Sequence, residues 1–402
     1  MVSSFPVHTS GGDQMMLQDL PWNRPLLEWV TCSPRIEEIP HGISRHPVVF
    51  INYDGNLYAL KELPTSIAAQ EYSALNNLSE LRLPAVNPVG YVLTHTNKGD
   101  ASILITHYLE RSIPYRLLFM RSSLVHYRAH LLDAVAGLLV QLHLVGIFWG
   151  DCSLSNVLFR RDAGMLQAYL VDAETTESHH PRLSPALRCQ DLEIMDENLT
   201  GELQDLEATG LLHGKGPVSA SGPYIRQRYQ RLWDEITREE TLVEKEHYRI
   251  QERIRALNQL GFSIGEIELR SVANGESLRL RVIVTDRYFH RDQLYNLTGL
   301  EAEEMQARKL INEIHEVKAT MSHKNNRSTS LSVAAQHWLV NIYQPTLIAL
   351  QVLVDRETAP VELYCQVLEH KWYLSERAHQ DVGHLTAVED YIRWSMSEKS
   401  TS

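Results

Sequence analysis

The chain reads as an α+β protein, with an antiparallel sheet and one helix toward its N-terminus and an α-rich remainder that holds one more β-hairpin. Three observations predict this. β-branched and aromatic runs pair around turn signals between residues 46 and 109. Apolar residues from 124 to 144 recur at spacings of three and four. After residue 185 helical patterns dominate, apart from two alternating runs around Asn274-Gly275.

Residues 1 to 16 are small and polar, with a Gly-Gly pair, and predict a flexible tail. HPVVFINYDGNLYALKEL (46–63) holds two strand-like runs around Asp54-Gly55-Asn56, a hairpin signature that puts Lys61 on the second strand. Thr65 and Ser66 are candidate caps for a helix through IAAQEYSALNNLSEL, which carries Glu71 and should end before Pro84. Two more strands, VNPVGYVLT (86–94) and ASILITHYL (101–109), flank the turn Asn97-Lys98-Gly99-Asp100. Leu131, Leu132, Val135, Leu138, Leu139 and Leu142 define a well-buried amphipathic helix that Gly146 ends. GIFWGDCSLSNVLFRRD and LQAYLVDAETTE then read as loop, short strand, Gly164 turn, short strand and loop. Residues 185–260 look largely helical, with a charged surface helix over 237–260. IGEIELRSVANGESLRLRVIV (264–284) is the second hairpin, and helices are predicted over 301–321, 332–353 and 361–376.

Bulk properties exclude several function classes. With 402 residues the chain can bury a large core, and 44% hydrophobic with 22% charged residues is the balance of a globular protein. A net charge of -12 without a basic run argues against nucleic acid as partner. Cys32, Cys152, Cys189 and Cys365 lie far apart with no CxxC pair, which favours neither zinc nor a disulfide framework and suits a reducing compartment. There is neither a signal-peptide pattern nor an apolar run long enough for an integral membrane segment, so a cytoplasmic location is expected.

Phosphoryl transfer from a nucleotide requires a cation for the phosphates, a group that orients it, oxygen ligands for magnesium, and a carboxylate near the acceptor hydroxyl. Lys61 on its strand and Glu71 on the next helix could supply the first two, although either residue type taken singly is usually a solvated surface group. In WGDCSLSN, Asp151 and Asn156 stand 156 - 151 = 5 positions apart, after a buried helix and before an apolar strand. A polar loop with an Asp-initiated turn is the plainer reading of that segment. Asp172 ends the run AYLVD, where a strand-terminal carboxylate projects into a cleft and can ligate Mg²⁺.

The order strand Lys, helix Glu, D-x4-N loop, strand-end Asp resembles that of the protein-kinase-like superfamily, and most closely its lipopolysaccharide kinase (Kdo/WaaP-type) group and the small-molecule phosphotransferases. Gly150 before Asp151 and the acidic Glu174 after Asp172 fit those relatives. The resemblance spans roughly residues 30–180. It implies a two-lobed kinase-like domain over 17–184, with an N-lobe at about 30–109 and a C-lobe core at about 110–184, and ATP and Mg²⁺ as cofactors. Lys61 and Glu71 are then expected to bind the nucleotide, Asn156 and Asp172 the metal, and Asp151 to act on an unidentified hydroxyl acceptor. LTGLEAEEMQARKLINEI (297–314) and VLEHKWYLSERAHQDVG (367–383) are similar to a bacterial domain of unknown function, so 185–402 is expected as a mostly helical C-terminal domain that partly completes the C-lobe. Departures are visible too. EIPHGISRHP has a single glycine, Gly42, where kinases have a glycine-rich loop; Trp149 replaces the catalytic-loop His; Ala173-Glu174 replace Phe-Gly. The last two argue against switching by activation-loop phosphorylation and for a non-protein acceptor.

Two other readings stay open: a pseudokinase that binds or scaffolds, suggested by the poor glycine loop and the altered metal motif at Asp172-Ala173-Glu174, and transfer of AMP with the ATP phosphates reversed. Other features suggest packing or surface roles. His143, His179 and His180 have no HExxH-type partner pattern. Trp338, Trp372 and Trp394 suggest core anchors, and Arg226, Arg228 and Arg231 a solvated helix face.

Overall fold

The computed structural model describes residues 7–9, 19–39, 45–53, 55–96, 99–120, 127–179, 183–210, 220–238, 240–243, 266–271, 277–283, 288–324, 326–354 and 358–399. Two compact units emerge, residues 1–160 with 168–230, and residues 161–167 with 231–402.

The first unit opens with an antiparallel sheet of six strands: β1 (Val7–Thr9), β2 (Ile36–Glu37), β3 (Val48–Tyr53), β4 (Asn56–Leu63), β5 (Pro88–Thr96) and β6 (Gly99–His107), in the order β1-β5-β6-β4-β3-β2. Val7–Thr9 pairs with β5, so this part of the expected tail is a strand. Alternation along the strands separates two faces. Leu60 pairs with Val49 and Ile105, and all three join a core closed by Leu20, Trp22, Leu26 and Trp29. Lys61 pairs with Val48 and Leu104 on the opposite face, the side that lines a cleft. Helix α1 (Thr65–Glu80) follows β4. It is not capped by Thr65 or Ser66: Pro64 takes the N-cap position, both residues lie inside the first turn, and the Thr65 hydroxyl accepts from that of Ser102 at 3.2 Å.

The rest of this unit is β7 (Ile113–Pro114), α2 (Tyr115–Met120), α3 (Tyr127–Leu144), β8 (Ile147–Phe148), a 3-10 turn (Leu154–Asn156), β9 (Val157–Asp162), β10 (Met165–Leu170), β11 (Glu177–Ser178), α4 (Pro185–Ala208) and most of α5 (Ser221–Thr237). Leu131, Val135, Leu138, Leu139 and Leu142 of α3 are buried, and Leu132 half-buried. Strand β9 lies between β10 and β7, and β11 pairs with β8. Ser184 caps α4, accepting from the Leu187 amide. The arginines of α5 are not a plain solvated face: Arg226 and Arg228 pair with Asp196 and Asp133, while Arg231 is exposed.

In the second unit β12 (Glu240–Val243), β13 (Glu266–Ser271) and β14 (Ser277–Ile283) form an antiparallel sheet in the order β12-β14-β13. The helix expected over 237–260 is thus corrected where described: Thr237 ends α5 and Glu240–Val243 is a strand, whose Thr, Leu and Val gain ladder bonds against β14. Residues 244–260, the turn at Asn274-Gly275, Asp54, Asn97-Lys98, His180 and the loop containing Gly42 lie outside the described residues. Helices α6 (Phe289–Thr298), α7 (Glu304–Lys324), α8 (Leu331–Trp338), α9 (Gln344–Leu350), α10 (Pro360–Ala378) and α11 (His384–Lys399) follow. The single helix expected over 332–353 is interrupted by a π segment at Leu339–Tyr343 and ends in a 3-10 turn, a break that coincides with Pro345. Trp338 is buried with Tyr343 and Tyr364, but Trp372 and Trp394 are 58% and 47% exposed and anchor no core. The tip of the β9–β10 hairpin belongs to this unit. Asp162 accepts the Met305 and Gln306 amides at the start of α7, and Glu362 accepts those of Ala163 and Gly164.

Candidate active site

Strand and helix periodicity aim the first two candidates at each other. Lys61 stands on the cleft face of β4, while Ala68, Glu71, Leu75 and Leu78, spaced three and four apart, form the buried face of α1. The Lys61 ammonium Nζ donates to Glu71 Oε1 and Oε2 at 3.3 and 3.1 Å, and to Asp172 Oδ2, beyond the end of β10, at 2.7 Å. Burial alone lowers the affinity of Lys61 for its proton, but the Glu71 and Asp172 carboxylates outweigh it and hold the ammonium above its ordinary value. Glu71 has no exposed surface; burial, reinforced by Asp172 and opposed by Lys61, pushes it up to about 7.

Asp151 lies in the loop between β8 and the 3-10 turn. Its Oδ2 accepts from Asn156 Nδ2 at 3.2 Å and its Oδ1 from Asn198 Nδ2 at 3.1 Å. Asn156 also donates to the Asp151 carbonyl at 3.1 Å, and Asn198 to that of Cys152 at 3.2 Å. With its amide nitrogen committed to Asp151, Asn156 keeps its amide oxygen for a ligand. Lys61, Glu71, Asp151, Asn156 and Asp172 all line one cleft.

Helix α4 holds this loop from beneath. Buried Asp191 accepts the amides of Trp149 and Gly150 at 2.8 and 2.9 Å, and the ring of His143 at 3.0 Å. Glu202 accepts the amides of Leu154 and Ser155 at 2.8 and 2.9 Å. Gly150 has φ +80, and a Cβ there would stand 2.8 Å from the Thr175 carbonyl oxygen, so the loop needs glycine at this position. Trp149 is fully buried.

Sequence reasoning passed over Asp191, Asn198 and Glu202. Their spacing of seven and four is a readable signal, three polar side chains on one stripe of a helix whose other buried residues are Leu192, Met195, Leu199, Leu203 and Leu206. It also passed over Arg45, whose guanidinium lies 3.6 Å from Asp151 Oδ2.

Oxygen ligands for a hard cation are at hand: the carboxylates of Glu71, Asp172 and Glu174 offer atoms within 4.8 Å of one another. Among the described residues no helix is long and apolar enough to cross a membrane.

Two family models match the chain. Residues 54–208 match the lipopolysaccharide kinase (Kdo/WaaP) family, and residues 231–396 match a domain of unknown function, DUF4032. A solved structure of WaaP in complex with acyl carrier protein is 14% identical, with 56% of this chain and 88% of that chain covered and a TM-score of 0.34. No curated protein matches the chain.

Proposed function

We propose that this cleft transfers the γ-phosphoryl group of ATP to the hydroxyl of a non-protein acceptor, a small molecule or a sugar- or lipid-linked one, in the cytoplasm. The observation that carries the reading is the Lys61–Glu71–Asp172 cluster in the same cleft as an Asp151 held by two asparagine amides. Val48, Ala59, Leu104 and Leu158 give the cleft an apolar side suited to a purine. The match of residues 54–208 to lipopolysaccharide kinases supports a glycolipid-like acceptor.

On this reading Glu71 and Asp172 fix the Lys61 ammonium so that it meets the nucleotide phosphates as a point charge. The acceptor hydroxyl, oriented by Asp151, gives its proton to that carboxylate as its oxygen bonds to the γ-phosphorus. The bond to the β-phosphate oxygen breaks with its electron pair, and ADP leaves. Asn156 and Asp172 would hold Mg²⁺, joined by Glu174, and all offer the oxygen atoms that ion prefers. When bound, the ion neutralises phosphate charge. Asn156 and Asn198 keep the Asp151 carboxylate from rotating.

Incubation of the purified protein with ATP labelled separately at the α- and γ-phosphates tests the proposal. Release or transfer of γ-label alone supports it. Transfer of α-label points instead to AMP transfer, and tight MgATP binding without consumption to a pseudokinase.

A further inference from the structure

The wall that meets the phosphate end of this cleft has a charge problem. Its described lining carries Arg45 and Lys61 against Glu71, Asp151, Asp172 and Glu174, a formal 2 - 4 = -2 with His107 neutral. Lys61 is already held by two of those carboxylates. Mg²⁺ held by Asn156, Asp172 and Glu174 would offset the acids on its own side, but a γ-phosphate brought toward Asp151 also meets that carboxylate, and Arg45 is the lining cation beside it, not engaged with Glu71 or Asp172.

The backbone just after Arg45 is fixed by the sheet. The Pro47 carbonyl accepts the Glu62 amide at 3.0 Å, and Val48 pairs directly with Lys61, so Arg45 leaves the sheet at the end where Lys61 stands. From there Arg45 reaches Asp151, and its neighbour His46 comes within 3.9 Å of Glu174, the acid after Asp172. Residues 45 and 46 thus span from the strand of the nucleotide-side wall to two acids of the opposite wall, Asp151 and Glu174. Arg45 is 80% exposed and its 3.6 Å approach to Asp151 is longer than a hydrogen bond. Such a pair is weak and is readily exchanged for a phosphate, whose oxygens match the guanidinium fork. Arg45 also precedes the segment matched to the kinase family, 54–208.

We propose that Arg45 is the γ-phosphate clamp of this site, a single guanidinium that takes over contacts a glycine-rich loop would make through backbone amides. This rests on the reading of the cleft as an ATP site. Arg45 leaves Asp151 when the triphosphate arrives, which frees that carboxylate for the acceptor hydroxyl at the moment the donor is in place.

The experiment is calorimetry with Mg·AMP-PNP and Mg·ADP on wild type, Arg45→Gln and Arg45→Lys. A γ-phosphate contact predicts that Arg45→Gln loses about tenfold or more in affinity for AMP-PNP while ADP binding stays within about twofold, the scale of one charge-assisted hydrogen-bonded contact. Arg45→Lys should fall between, keeping charge but losing the fork. Unchanged ADP affinity also shows that the variant is folded. If Arg45→Gln keeps the wild-type ratio of AMP-PNP to ADP affinity, Arg45 serves the acceptor or the surface and the inference is wrong. Failure of wild type to bind either nucleotide would instead remove the ATP site itself, and the clamp with it.

Discussion

Asn198 donates its side-chain amide to Asp151 Oδ1 at 3.1 Å, across 47 positions of sequence. The bond matters because the opposite oxygen, Oδ2, is occupied by Asn156. One asparagine comes from the loop itself and the other from α4, so the carboxylate is referenced both to its own loop and to the helix that carries Asp191 and Glu202. Asn198→Ala should lower turnover roughly tenfold with little change in nucleotide affinity, since a misplaced base costs orientation rather than binding. Asn198→Asp should do more, because a second carboxylate beside Asp151 disfavours its ionised form and moves the acidic limb of the pH–rate profile upward. Equal profiles for wild type and Asn198→Asp would show that Asn198 is only a packing residue.

Gly150→Ala is the sharpest steric test of the loop. The left-handed backbone at φ +80 costs a non-glycine residue about 1–2 kcal/mol, and the new methyl would also meet the Thr175 carbonyl at 2.8 Å. Denaturant unfolding should show a loss of about 2 kcal/mol or more, accompanied by lost turnover because Asp151 is the next residue. A neutral variant would mean that the loop relaxes more freely than its bonds to Asp191 and Thr175 suggest.

Much of this site was legible because its parts are local patterns. The β3–β4 hairpin, the helix α1 that carries Glu71, and the short strand before Asp172 follow from alternation, turn residues and helix boundaries, and these place Lys61, Glu71 and Asp172 on their elements. What alternation does not encode is long-range pairing. That Asn198 and Asp191 of α4 reach back to the 149–152 loop depends on tertiary packing, which a helical pattern over 185–260 does not encode. The strand at Glu240–Val243 was misread for a related reason: Leu242 falls in helical register with Ile250, Ile254 and Leu257, whereas the partner that makes Thr241-Leu242-Val243 a strand, β14, lies 34 or more positions away. Trp372 and Trp394 show the limit of residue type as a guide, since a large aromatic ring predicts burial only when its helix face is covered.

The second unit offers a pH test independent of catalysis. Asp162 is buried, and burial, with the Glu303 charge added, pushes it up to about 8 despite the bonds from the Gln306 and Met305 amides. The folded state therefore binds this proton more tightly than the unfolded chain, whose carboxyl titrates near 3.8. Its stabilising contribution is complete below about 3.8, falls as pH rises, and is lost above about 8. Thermal melts of wild type across that interval should show declining stability with rising pH. Asp162→Asn, neutral at every pH and still able to accept at the helix start, should show a flatter curve. Parallel curves would mean that Asp162 is ionised in the fold and held by the helix amides alone.

Asp151 and Asp172 share a cleft but are assigned different tasks, and their isosteric variants should fail differently. Asp151→Asn keeps size and can still bond to its neighbours, yet it cannot receive the acceptor proton. Turnover should fall by roughly 10² or more, the scale of a lost general base, with MgATP binding largely kept. Asp172→Asn removes a charge from both the Lys61 cluster and the proposed metal site, so nucleotide affinity and magnesium dependence should drop together. Lys61, left with Glu71 alone, also loses its 2.7 Å partner and should sit less firmly against the phosphates. Thermal stabilisation by MgATP, measured beside ATP consumption for wild type and both variants, separates these effects, since ligand that binds only the folded state raises the melting temperature by an amount that grows with the logarithm of its affinity. Asp151→Asn should keep the shift and lose consumption, while Asp172→Asn should lose both. An enzyme that transfers AMP would depend on Asp172 and tolerate Asp151→Asn, and a pseudokinase would show the binding shift with no consumption to lose. Equal shifts and equal consumption in all three proteins would take both aspartates out of the active site, leaving the cleft without the chemistry proposed for it.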